Sequence, residues 1–161
     1  MSTAQDSSRV TLTAADGAVA SYDTAPPPDE FGLVLVRRGG YAVGLVRGAD
    51  LAASKCGTRY VQGRTKAGGQ SQKRYARRRA NQADDVAAAA AGAVDRVLAD
   101  TPNVTVFCGG DRELVKQALG GARVPVQRAE RWLDVKEPRR VVLERSVQQA
   151  RSVLVRLNGL A

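Results

Sequence analysis

The chain has 161 residues, of which 43% are hydrophobic and 25% charged, a length and balance that suit one globular domain with a buried core. It has no histidine, which excludes a Ser-His-Asp triad, a Cys-His pair and any histidine-ligated metal within this chain. Aromatics are only 4%, against a platform of stacked bases, while a formal net charge of +9 favours a polyanionic partner.

The first eight residues are polar and are expected to lack fixed structure. Arg9–Thr13 alternates apolar and polar residues, and 18–22 returns from a turn at Asp16-Gly17, which predicts a hairpin. Ala25-Pro26-Pro27-Pro28-Asp29 is a stiff connector, so residues 1–25 read as a polar N-terminal segment and 26–161 as the main domain. Segments 31–36 and 41–46 flank Arg37-Arg38-Gly39-Gly40 and predict a second hairpin, with 55–61 as a third strand. Helix formers then run unbroken over 71–99, with Val86, Ala90, Ala93, Val94 and Val97 at the spacing of a core-facing stripe. A buried strand is expected over 104–108, ending at Gly109-Gly110. Asp111 stands where an N-cap opens a helix through Leu119, closed by Gly120-Gly121. A last helix starts near Pro138, with Leu143, Val147, Ala150, Leu154 and Leu157 as its stripe and Asn158-Gly159 as its cap. Strands early, helices later and one strand between helices predict an α+β fold, a mixed β-sheet flanked by helices.

Cys56 and Cys108, the only cysteines, are too far apart for a metal motif and are expected to pack as free thiols in a reducing, cytoplasmic setting. No signal peptide or membrane-length apolar run is visible; the longest apolar stretch, 86–91, is Ala-rich and helical, so no membrane partner is expected. Trp132 reads as a core or rim anchor.

The charge is localised. Between Asp50 and Asp84 there is no acidic residue but nine basic ones: Lys55, Arg59, Arg64, Lys66, Lys73, Arg74, Arg77, Arg78 and Arg79. The other 16 basic residues balance the 16 acidic ones, so the whole excess lies in this window. Lys73, Arg74, Arg77 and Arg78 share a face near the start of the long helix, where they repel each other and oppose the positive helix end. A bound polyanion removes that cost, which nominates Arg64, Lys66, Lys73, Arg74, Arg77, Arg78 and Arg79 as RNA contacts. Within the window, Gly68-Gly69-Gln70-Ser71-Gln72 is slim and lets a ligand approach the main chain. It matches neither a P-loop nor a dinucleotide fingerprint. A glutamine carboxamide takes up no proton near neutral pH but donates and accepts hydrogen bonds together. Such a group orients water against an ester or stabilises an oxyanion, and a well-placed donor contributes about 10²–10³ in rate.

The run 58–82, Thr-Arg-Tyr-Val-Gln-Gly-Arg-Thr-Lys-Ala-Gly-Gly-Gln-Ser-Gln-Lys-Arg-Tyr-Ala-Arg-Arg-Arg-Ala-Asn-Gln, resembles the Vms-like release factor (VLRF) family of peptidyl-tRNA hydrolases, and within it a compact bacterial branch. The resemblance follows strand and helix order from Phe31 to Leu157 and is absent over the first 25 residues. It implies a fold like the central domain of eukaryotic-type release factors: an RNase H-like mixed sheet with a Gly-rich catalytic loop leading into a long helix. It also implies ribosome quality control or rescue, in which the loop enters the peptidyl-transferase centre of the large subunit and frees a nascent chain from peptidyl-tRNA. The implied partners are peptidyl-tRNA, rRNA and the ribosome, with no cofactor, no metal and a monomeric chain. The family's Gly-x-x-Gln signature maps onto Gly69-Gln70-Ser71-Gln72 and nominates Gln72. The Gly68-Gly69-Gln70 tripeptide, which marks peptide-chain release factors, nominates Gln70 instead. Gln72 is the favoured residue, with Gly68 and Gly69 shaping the tip. This chain lacks the zinc-finger and ankyrin segments of eukaryotic members. Two other readings remain: an endonuclease that cuts the tRNA 3′ end, and a non-catalytic ribosome- or RNA-binding module.

Overall fold

The computed structural model describes the backbone at residues 2–6, 9–23, 26–58, 71–153 and 155–158, and side chains at 10–22, 26–58, 81–153 and 155–158. The chain falls into two units, 1–27 with 151–161, and 28–150. The first unit opens with an antiparallel meander of β1 (Ser2–Asp6), β2 (Arg9–Thr13) and β3 (Val19–Asp23). The β2–β3 hairpin turns where expected, with Gly17 at φ 88° and the Ala18 amide donating to Asp16 Oδ1 over 3.1 Å. β1 was not expected. Its polar residues pair through backbone groups with β2, a bond pattern that needs no apolar side chains.

In the second unit, β4 (Glu30–Arg37), β5 (Gly40–Arg47) and β6 (Asp50–Thr58) form another antiparallel meander. Helix α1 (Ser71–Val97) leads to β7 (Thr105–Gly110), then α2 (Arg112–Gly121), β8 (Gln127–Leu133) and α3 (Arg140–Arg151). The sheet order is β6-β5-β4-β7-β8, with β4/β7 and β7/β8 parallel, so the sheet is mixed and carries three helices. Side chains alternate across a strand, and the two faces are written in the sequence of β4. Phe31, Leu33 and Leu35 join a core with Leu143, Val147 and Ala150 of α3. Val34 and Val36 join the opposite core with Val86, Ala90 and Val94 of α1 and Leu114 and Val115 of α2. Each such fully buried Val or Leu contributes about 1.5–3 kcal/mol relative to exposure. Phe31 and Phe107 meet edge to face with centroids 5.3 Å apart.

The α+β expectation, the 31–36/41–46 hairpin and the α1 stripe are all observed. Four elements differ. The last helix ends at Arg151, and β9 (Val155–Leu157) then pairs antiparallel with β3 in the first unit. Leu157 is 62% exposed rather than part of a helical stripe, and Leu154 lies outside the described residues. Val155-Arg156-Leu157 alternates as a strand does, and Asn158 ties it to the β2–β3 turn by accepting from the Val19 amide and donating to Gly17 O, both over 3.0 Å. The third strand runs over Asp50–Thr58 instead of 55–61, of which 59–61 lie outside the described residues. β8 was missed because four of its seven residues, Gln127, Arg128, Glu130 and Arg131, break an apolar reading; it is an edge strand. Finally, Gly120 and Gly121 stay within α2, whose cap is Ala122 in extended backbone, its amide donating to Ala118 O.

Candidate functional site

The sheet's polarity decides which groups share an end. β6 is antiparallel to β5, which is antiparallel to β4, and β7 and β8 are parallel to β4. The carboxyl ends of β4, β6, β7 and β8 therefore lie together, at Arg37, Thr58, Gly110 and Leu133. Thr58 is where the chain departs for the Gly-Gly-Gln segment. Gly40 pairs with Thr58 on one side and Arg37 on the other, so the Arg37-Arg38-Gly39 turn stands two strand spacings from that departure, about 10 Å. From the far side of the segment, α1 carries the chain to Leu98. The Leu98 side chain lies against Gly32, near the opposite end of the sheet. With 27 residues α1 is about 40 Å long, whereas the eight residues of β4 span about 26 Å.

Gly68, Gly69, Gln70, Arg64 and Lys66 lie outside the described residues. Gln72 is the second residue of α1, one position after Ser71, and Lys73, Arg74, Arg77, Arg78 and Arg79 occupy its first three turns. No acidic residue stands in the first turn of this helix. At about 100° per residue, the Lys73, Arg74, Arg77 and Arg78 positions fall on the side of the helix opposite Val86, Ala90 and Val97. The Gln72 and Arg79 positions fall on the same side as that core stripe. The helix thus keeps four of the five cationic positions together and separates Arg79 from them.

A second feature of the same sheet end was not anticipated. A cleft of about 520 Å³ is lined by Arg37, Arg38, Gly39, Gly110, Asp111 and Glu137. Gly110 ends β7 at φ 102°, and the Asp111 amide donates to Val36 O over 2.8 Å, holding β7 to β4 at the cleft floor. Asp111 caps α2 as expected: its Oδ1 accepts from the amides of Glu113 and Leu114 over 3.0 and 3.2 Å. Next to it, the Arg112 guanidinium covers the Trp132 ring at 4.4 Å from the centroid, and Trp132 packs on the rim of the core.

The two cysteines are free, as expected. Cys108 belongs to the α1/α2 core and Cys56 packs against the α3 core, on opposite faces of the sheet. Burial pushes the Cys108 thiol up to about 12. Burial also raises Cys56, against the pull of Arg140. Neither is a poised thiolate nucleophile. Asp95 is held below the usual carboxylate value, first by the Val124 amide and then by the Arg123 amide and guanidinium, which ties the chain after α2 to α1. Among the described residues no three His, Cys, Asp or Glu side chains gather as metal ligands, and no helix is long and apolar enough to cross a membrane.

Residues 29–156 match the model of the Actinobacteria/chloroflexi VLRF1 release factor family. The chain belongs to this family. The match takes in the charged window, α1 and the whole sheet of the second unit, and it leaves out β1, β2 and β3. No curated protein matches the chain. The resemblance seen in the 58–82 run is therefore a family relation that extends well beyond that run. Sequence reasoning missed the cleft at Arg37 and Arg38, because it exists only once β7 is paired parallel to β4. The Arg-Arg-Gly-Gly turn was visible; its neighbours were not.

Proposed function

We propose that this protein is a peptidyl-tRNA hydrolase that frees nascent chains from stalled ribosomal complexes. The observation that carries the reading is the release factor family match across 29–156, which spans the nine-cation window and the Gly-Gly-Gln-Ser-Gln segment. A release factor acts in translation termination or ribosome rescue. Supporting it is the sheet order, an antiparallel meander followed by two parallel strands, as in an RNase H-like central domain. The catalytic domain in this reading lies within 26–161, and the protein acts in the cytoplasm as a monomer with the ribosomal large subunit, its rRNA and peptidyl-tRNA.

In the proposed reaction the segment enters the peptidyl-transferase centre, where Gly68 and Gly69 let backbone approach the ester. Gln72 holds a water with its carbonyl and amide groups. The water oxygen bonds to the ester carbon, the bond from that carbon to the tRNA 3′ oxygen breaks, and that oxygen takes the proton. Lys73, Arg74, Arg77 and Arg78 grip RNA phosphates from one side of α1, with Arg64, Lys66 and Arg79 contributing around the loop. Water is the only co-reactant.

The test uses large subunits carrying labelled peptidyl-tRNA. Gln72→Ala is expected to slow release by about 10²–10³, with particle binding near wild type. If Gln70→Ala alone has that effect, the catalytic role moves to Gln70. Release unaffected in both variants, or lost only together with binding, contradicts the reading.

A further inference from the structure

We propose that the cleft between the carboxyl ends of β4 and β7 takes up one ribonucleotide unit of a single-stranded RNA, with Arg37 and Arg38 on its phosphates and Glu137 accepting from its ribose 2′-hydroxyl. The RNA class of ligand rests on the proposed release activity; the residues are different ones, on a different part of the fold.

The position is the first argument. β4 feeds β5 on one side and β7 feeds α2 and β8 on the other, so the chain diverges above two adjacent parallel strands. Such a switch point opens a crevice beyond the carboxyl ends of the strands, where ligands bind in open sheets. Here the crevice measures about 520 Å³, within the roughly 300–1,000 Å³ of small-ligand sites. It stands at the same sheet end as Thr58, where the chain departs for the proposed catalytic segment.

Charge is the second. Arg47, Arg123 and Arg140 are each paired with a carboxylate, on Glu30, Asp95 and Glu144. Among the described residues no ion pair or side-chain hydrogen bond engages Arg37 or Arg38, and both are exposed. Of the two carboxylates in the cleft, Asp111 already accepts two helix amides. Glu137 lies over Gly39, its Oε2 2.9 Å from where a Cβ would stand. Two guanidiniums beside one acceptor suit a ligand that brings phosphate and hydrogen-bond donors together, as a ribonucleotide does. A bare phosphate ion would meet the guanidiniums and the carboxylate at once. Gly39 and Gly110 add no side chains to the lining.

The experiment measures binding of the full chain to a short labelled single-stranded RNA across a salt series at fixed pH. Removing two phosphate contacts on single-stranded RNA lowers the log–log salt slope by about 1.4, so between 50 and 200 mM salt the wild type loses about sevenfold more affinity than Arg37→Ala/Arg38→Ala. An unchanged slope in a variant that melts like the wild type overturns the proposal. Arg38→Glu is a second variant, and it should weaken binding further than Arg38→Ala; equal affinity overturns the phosphate contact. Inorganic phosphate at constant ionic strength is expected to leave the RNA bound, and displacement by phosphate overturns the ribonucleotide assignment. Glu137→Ala should narrow the gap between RNA and DNA of one sequence; an unchanged gap overturns the acceptor role. The two readings fail separately. A double variant with wild-type slope, from a wild type that releases peptide, removes the cleft and leaves the activity. A wild type that binds through these arginines but releases nothing removes the activity and leaves the cleft.

Discussion

Gly110→Ala tests whether the junction of β4 and β7 is built as described. At φ 102° the residue sits where L side chains are strained, a cost of about 1–3 kcal/mol. A Cβ there would also stand 3.0 Å from the Val36 carbonyl carbon, with the carbonyl oxygen closer still. That oxygen accepts the Asp111 amide over 2.8 Å, so relieving the clash stretches a hydrogen bond that contributes about 0.5–1.5 kcal/mol. Together these give about 2–4 kcal/mol of destabilisation. For a chain of this length that lowers Tm by about 5–15 °C. The assay is thermal melting of the helical circular dichroism signal, with Gly92→Ala alongside. Gly92 is an exposed position in α1 with no atom within 4 Å of a built Cβ. Its replacement is expected to stabilise by about 0.5–1 kcal/mol. Gly110→Ala melting at or above the wild-type temperature would refute the geometry.

Other predictions follow from single groups. Asp111→Ala removes the acceptor for two α2 amides and should cost about 1 kcal/mol in urea denaturation; no change in midpoint would mean the cap is idle. Burial raises the Cys108 thiol from the usual 9.0 to about 12, so the fold favours the neutral form. Its contribution is complete below pH 9.0 and lost as pH climbs toward 12. Cys108→Ala or Cys108→Val should flatten that alkaline fall. A thiol reagent should label half-buried Cys56 in the folded protein and Cys108 only on unfolding; equal rates would contradict the burial.

Much of the second unit was legible because its periods are clean. Phe31 to Val36 alternate between two cores, a pattern that only a strand covered on both faces rewards. Val86 to Val97 repeat at the helical period, and Asp111 is a side chain that competes for helix-end amides. The C-terminal end was misread because Val147, Ala150, Leu154 and Leu157 satisfy a helical spacing while Val155-Arg156-Leu157 equally satisfies a strand. Pairing with β3, distant in the chain, decides between them. β8 is half polar, so its identity comes from β7 beside it. Gln70 and Gln72 were nominated through composition and resemblance. The Arg37/Arg38 cleft was not, since it is made by segments that meet only in the folded sheet.

Product analysis separates ester hydrolysis from tRNA cleavage and from binding without reaction. Purified protein is added to large subunits carrying peptidyl-tRNA labelled in both peptide and tRNA, and both products are resolved. Ester hydrolysis yields free peptide together with a full-length tRNA that can be aminoacylated again. A tRNA shortened at its 3′ end, or particles bound with neither product formed, would contradict it.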